Sequence, residues 1–119
     1  MVLHANHPHE IDAGVRAACA ALRAAGVTLL NQSVLLRGVN DDAGTLERLS
    51  VALMDAGVLP YYLHLPDRVR GTAHFDVDEG KAQQLIAELM GRMSGYLVPR
   101  LVREVPGAAS KVPLAHVRG

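Results

Sequence analysis

Leu22-Arg23-Ala24-Ala25-Gly26-Val27 and Leu53-Met54-Asp55-Ala56-Gly57-Val58 carry the same signal twice, and the repetition decides the fold. Each closes an amphipathic run with a glycine, the residue that most readily takes the left-handed conformation at a helix C-terminus. Ahead of Gly26, Ile11, Val15, Ala18, Cys19, Leu22 and Ala25 recur at three- and four-residue steps, which predicts a helix over 10–25. Ahead of Gly57, Leu46, Leu49, Leu53 and Met54 predict a second helix, capped by Asp41 or Asp42. The separation of the two glycines is about the length of one βα unit.

Extended segments follow both glycines. Val27–Leu36 reads as a largely buried strand, Pro60-Tyr61-Tyr62-Leu63-His64-Leu65 as another, and Val2–His4 as a short one before them. Asp76-Val77-Asp78-Glu79 resembles a capping box for a last helix bearing Ala82, Leu85, Ile86, Leu89, Met90 and Met93. Tyr96 to Val105 reads as extended, and Pro106 to Ser110 as a loop. Repeated βα units imply parallel strands buried under helices, in a barrel or a doubly wound sheet. So few strands cannot close a barrel of any usual size. Taken alone, the chain is an α/β arc with open edges, which are an aggregation hazard unless a larger protein covers them.

Composition narrows the function classes. With 119 residues there is room for one modest domain with a real core. The formal charge is zero, from 12 basic and 12 acidic residues, and no basic block is present, so neither nucleic-acid nor membrane-surface binding is expected. A lone cysteine, Cys19, cannot form an intrachain disulfide and fits a reducing cytoplasm. The N-terminal apolar run is too short for a signal segment, and no apolar run approaches the length of a membrane span. Half of the residues are hydrophobic but only Phe75 and three tyrosines are aromatic, so the core must be Ala/Leu/Val packing.

The chemistry concentrates in Asn31-Gln32-Ser33-Val34-Leu35-Leu36-Arg37-Gly38-Val39-Asn40-Asp41. A buried strand with an Asn-Gln pair at one end must satisfy those amides, because each unpaired amide costs roughly a few kcal/mol. Such a pair is often placed to meet a ligand. This run closely resembles one in the lysine 2,3-aminomutases, radical S-adenosylmethionine (SAM) enzymes that also carry pyridoxal phosphate (PLP). The resemblance extends from His4 to Leu114 in several motifs at compatible spacing, nearest to the aminomutases that make (R)-β-lysine for elongation factor P. It implies a partial parallel (β/α) barrel arc of roughly three βα units over 1–95, the C-terminal half of the barrel, followed at 96–119 by an extension with the PLP-lysine loop. A family member moves the amino group of L-lysine from carbon 2 to carbon 3, starting from a [4Fe–4S] cluster held by three cysteines. This chain has only Cys19. The N-terminal half of the enzyme, with the cluster and the arginine for the substrate carboxylate, is therefore expected to lie outside it, and the chain alone to be inactive. A non-catalytic remnant or interaction module is the alternative. A small nucleotide-binding domain fits poorly, since no Gly-rich phosphate loop follows a strand.

The site residues follow from the same resemblance. Lys111, in Pro106-Gly107-Ala108-Ala109-Ser110-Lys111-Val112-Pro113, matches the lysine that holds PLP. It is one of only two lysines against ten arginines, and only a primary amine can form the imine. Asp67, in Pro66-Asp67-Arg68-Val69-Arg70-Gly71, matches the aspartate that binds the distal ammonium of the substrate, although by residue type alone it is a turn aspartate paired with Arg68 or Arg70. Glu104 stands where the family has a second carboxylate, usually Asp. Two carboxylates suit a buried cation, which needs charge-assisted acceptors to offset its desolvation. His4 and Gln32 match SAM contacts. His7 and His9 flank Pro8 at a helix start, where capping is the better reading than zinc binding. Arg37 is expected to pair with Asp41 rather than serve a phosphate, and His74 matches a motif without a derivable role. Expected partners are L-lysine, the N-terminal half and, as an open option, further copies in a homo-oligomer.

Overall fold

Among the described residues three α-helices form, and an aspartate starts each. The side chains of Asp12, Asp42 and Asp78 accept from the backbone N–H groups of Val15, Thr45 and Lys81 at 2.9, 2.8 and 3.3 Å, satisfying donors that a helix start leaves without partners. The helices run Ala13–Ala24 (α1), Ala43–Asp55 (α2) and Glu79–Arg92 (α3). This computed structural model describes residues 1–65 and 77–103, with the backbone of 112–113. Of the two candidate caps for α2, Asp42 is the one used. α1 starts later than the apolar spacing predicts, because Pro8–Glu10 form a separate 3₁₀ turn before it.

α1 and α2 end alike, as the repeated hexapeptides require. Gly26 has φ 85° and Gly57 φ 79°. Around each, two hydrogen bonds close a Schellman motif: Gly26 N–H to Arg23 and Val27 N–H to Leu22, then Gly57 N–H to Met54 and Val58 N–H to Leu53, all between 2.8 and 3.0 Å. Leu22 and Val27, like Leu53 and Val58, sit in one apolar cluster, so each motif also closes hydrophobically.

The strands are β1 Val2–Leu3, β2 Leu30–Val34, β3 Leu59–Leu65, β4 Arg100–Arg103 and β5 Val112–Pro113. They lie in one sheet in the order β1-β2-β3-β4-β5; the first four are parallel, and β5 runs antiparallel to β4. Three βα units thus succeed one another, with no reversal of strand order of the kind that defines a doubly wound sheet. β2 is shorter than the predicted 27–36. Leu35 beyond it still donates its N–H to the His64 carbonyl at 2.8 Å, whereas Leu36 donates to the side chain of Asn40. A short 3₁₀ turn at Gly95–Leu97 precedes β4, so the predicted extended run begins late.

All three helices pack on one face. Leu63, Leu65 and Leu101 of the sheet meet Ala43 and Leu46 of α2 and Ala82, Leu85, Ile86 and Leu89 of α3. Cys19 of α1 meets Leu49 and Leu53 of α2 over Leu29. Fully burying a leucine contributes roughly 1.5–3 kcal/mol, so this layer carries the fold. Met90, expected in the core, is instead 63% exposed, while Met93 packs against the cluster. By strand alternation the other face presents Gln32 and Val34, then Tyr62 and His64, then Arg100 and Val102. Among the described residues no helix covers it.

Candidate functional site

The C-terminal ends of parallel strands are where α/β proteins place their chemistry. Here the exit of β1 is tied to β2 by side chains rather than by further strand pairing. Asn31, 1% exposed, accepts from the Ala5 N–H at 2.9 Å and donates to the Ala5 carbonyl at 3.1 Å and to the Ser33 hydroxyl at 2.9 Å. Ser33 donates to the same carbonyl at 2.8 Å. Asn6 continues the seam by accepting from the Val34 N–H at 2.9 Å. Fully buried Asn40 donates to the carbonyls of Asn6 and Val34 at 2.7 and 2.9 Å, and accepts from Leu36 N–H at 2.8 Å. The amides singled out in the sequence therefore divide: Asn31 serves the scaffold, and Gln32, half-buried, faces the sheet's helix-free side.

His4 follows β1 directly and is exposed. The pairing of β1 with β2 ends at Leu3 and Asn31; the same register carried one residue further along both chains would bring His4 to the level of Gln32. Gln32 pairs with Tyr62, and Tyr62 with Arg100, so a row of polar side chains crosses the sheet from His4. Tyr62 and Arg100 were not singled out in the sequence. Their membership depends on an irregularity between Asn31 and Gln32, where the partners on β3 jump from Pro60 to Tyr62. The Tyr62 ring lies 4.4 Å from that of Tyr61 and 5.8 Å, edge-on, from that of His64. Its hydrogen bond with Tyr61 holds the Tyr62 phenol above the ordinary value of 10.0, so it stays protonated in neutral solution.

A second row forms nearer the strand ends. Leu65 pairs with Arg103, and Arg103 pairs with Val112. In sequence Asp67 comes shortly after Leu65, Glu104 directly after Arg103, and Lys111 directly before Val112. Asp67, Glu104 and Lys111 themselves lie outside the described residues, as does His74.

Of the two histidines around Pro8, His7 caps the 3₁₀ turn and His9 lies within it. Nδ1 of His7 accepts from His9 N–H at 3.2 Å, and Glu10 reaches back to the N–H groups of Asn6 and His7 at 2.5 and 2.8 Å. Among the described residues no group of three or more His, Cys, Asp or Glu could hold a metal ion. Asp41 pairs with Lys81 at 3.1 Å and accepts from Gly38 N–H at 3.0 Å. The expected Arg37–Asp41 pair is not among the ion pairs of the described residues. Burial alone would raise the Asp41 carboxyl, but the Lys81 and Gly38 hydrogen bonds outweigh it and hold it below its ordinary value.

No protein-family model matches the chain. Individual relatives do. Over 114 residues, 96% of this chain, it is 59% identical to the L-lysine 2,3-aminomutase of Escherichia coli, of which those residues make up 33%. Against the protein of the same name in Haemophilus influenzae it is 53% identical, over 93% of this chain and 33% of the relative. For that of Clostridium subterminale the identity is 43%, over 93% of this chain and 27% of the relative. By sequence, the chain is homologous to the C-terminal third of the L-lysine 2,3-aminomutases. It thus spans about a third of the length of the E. coli and H. influenzae relatives, a smaller share than the half expected from the motifs.

Proposed function

We propose that this chain is the C-terminal part of a lysine 2,3-aminomutase, an isomerase converting L-lysine to β-lysine in the cytoplasm for modification of elongation factor P. The sheet would be an arc of a parallel (β/α) barrel, and its helix-free face, with His4, Gln32, Tyr62 and Arg100, the inner wall. The observation that supports this reading is the row Leu65–Arg103–Val112, whose members stand two residues before Asp67, one before Glu104 and one after Lys111 in sequence.

The residues fit two of the three groups that such an enzyme uses. An imidazole and a carboxamide at neighbouring positions, His4 exposed and Gln32 half-buried, suit SAM, offering donors and acceptors to a ribose or an amino-acid head. By residue type Lys111 suits PLP, because it supplies the primary amine that an imine needs. The iron–sulfur cluster does not fit this chain, because its one thiol, Cys19, is 3% exposed inside the helix layer. When bound, SAM and the cluster supply radical initiation, and PLP supplies the electron delocalisation that lets nitrogen migrate. The chain's own part is to hold and orient: Lys111 anchors PLP, Asp67 and Glu104 accept from the distal ammonium of lysine, and His4 and Gln32 fix SAM.

The test is borohydride reduction of the complete protein loaded with PLP, followed by peptide mapping. The pyridoxyl mass is expected on Lys111. A label on Lys81, or one scattered over several sites, would overturn the assignment. Lys111→Arg keeps the charge but has no primary amine, so it should abolish labelling.

A further inference from the structure

The seam between β1 and β2 acts on the two peptide bonds that immediately follow His4. The Ala5 N–H belongs to the peptide unit of the His4 carbonyl, and Asn31 Oδ1 accepts it at 2.9 Å. The Ala5 carbonyl receives two donors, Ser33 Oγ at 2.8 Å and Asn31 Nδ2 at 3.1 Å. A strand pair held only by its ladder would stop at Leu3, the last residue of β1. The turn after it would then fix no direction for His4. The bidentate carboxamide holds one group of each of these two peptide units, the N–H of the first and the carbonyl of the second, and burial makes that clamp stiff. Asn31 is 1% exposed, Ser33 4% and Asn40 0%, so water does not compete for their partners. Asn40 holds the next carbonyl, that of Asn6, at 2.7 Å. All of this sits on the helix side of the sheet, away from the face that carries Gln32.

We propose that Asn31, supported by Ser33 and Asn40, is a positioning residue for His4. It sets the exit of β1 so that His4 comes level with Gln32 along the strands, and so pre-organises the SAM-binding edge without touching SAM. The inference rests on the reading of His4 as a SAM contact. A preset side chain loses less freedom on binding, so the clamp should appear as SAM affinity rather than as PLP content.

A double-mutant cycle on the complete, cluster-loaded protein tests it, with the Kd for SAM measured by titration calorimetry and PLP content assayed alongside. Asn31→Ala should weaken SAM binding about tenfold with PLP content unchanged, a coupling within the range seen for contacting residues. In the His4→Ala background the same change should weaken binding less than about twofold, because the group being positioned is gone. An equal loss in both backgrounds, or no loss in either, overturns the positioning role while leaving His4 as a contact. If His4→Ala alone leaves the Kd unchanged, the reading of His4 itself fails, and the inference with it. Should Asn31→Ala not fold, Ser33→Ala carries the same cycle, with a loss of about threefold expected from one hydroxyl.

Discussion

Asp42 accepts from both the backbone N–H and the hydroxyl of Thr45, each at 2.8 Å, and these bonds hold its carboxyl below the ordinary value of 3.8. The folded chain therefore binds this proton more weakly than the unfolded one. Stability from the cap is full above about pH 4 and is lost as the pH falls through 3.8 and below. Asp42→Ala should cost about 1 kcal/mol at neutral pH, while Asp42→Asn, which keeps an acceptor, should cost less. Denaturant unfolding of the complete protein at pH 7 and pH 3 checks both, and the alanine penalty should shrink at the lower pH. For the proposed clamp, Asp67→Asn and Glu104→Gln should each weaken lysine turnover by about 2–5 kcal/mol in kcat/KM, because a buried ammonium is left under-compensated. PLP content should stay the same, and Glu104→Asp should be milder since it keeps the charge. Unchanged kinetics in both neutral variants would put the ammonium site elsewhere.

Two helix ends with one sequence pattern meet different surroundings. A Cβ added at Gly26 would meet nothing within 4 Å, whereas one at Gly57 would collide with the side chain of Arg23. Both glycines have positive φ, so alanine at either should cost about 1–2 kcal/mol from the backbone alone. The colliding atoms are the far end of an exposed, flexible side chain that can swing aside, so Gly57→Ala should cost about as much as Gly26→Ala. A clearly larger loss for Gly57→Ala, relieved by adding Arg23→Ala, would mean that Arg23 is held in place. The core of α3 allows a larger effect. Leu89 is fully buried against the sheet, and Leu89→Ala should cost about 2–5 kcal/mol through lost burial and the cavity left behind.

For the molecule as a whole, the proposed reaction needs more than these 119 residues hold. A cluster bound by three thiolates cannot be assembled from one cysteine, and that cysteine is buried between α1 and α2. The purified chain, given SAM, PLP and a reductant, should form no β-lysine. Chromatographic detection of β-lysine above a blank would refute this. Its two ion pairs between the α2 and α3 regions, Lys81–Asp41 and Arg92–Glu47, lie at the surface at 3.1 Å each. Their contribution is about 0–1 kcal/mol apiece, so packing and not charge holds α3 in place.

Sequence alone determined the features that act over a few residues. Aspartate caps, glycine stops and three- to four-residue apolar steps decide helices locally: the glycine stops stand at 26 and 57 as read, Asp42 is one of the two caps the sequence offered, and Asp78 caps α3 from inside the run read as a capping box. The βα repeat then followed from spacing. What the residues could not tell was which amide serves the scaffold. Asn31 and Gln32 are neighbours of similar chemistry, and only the strand's alternation and the arrival of Ala5, 26 residues away in sequence, separate their roles. Tyr62 joined the polar row only because the pairing of β2 with β3 shifts after Asn31. The same holds for the row Leu65–Arg103–Val112, whose members lie on three strands. Register between distant strands is set by the summed packing of a whole sheet face, and no short stretch of sequence contains that sum.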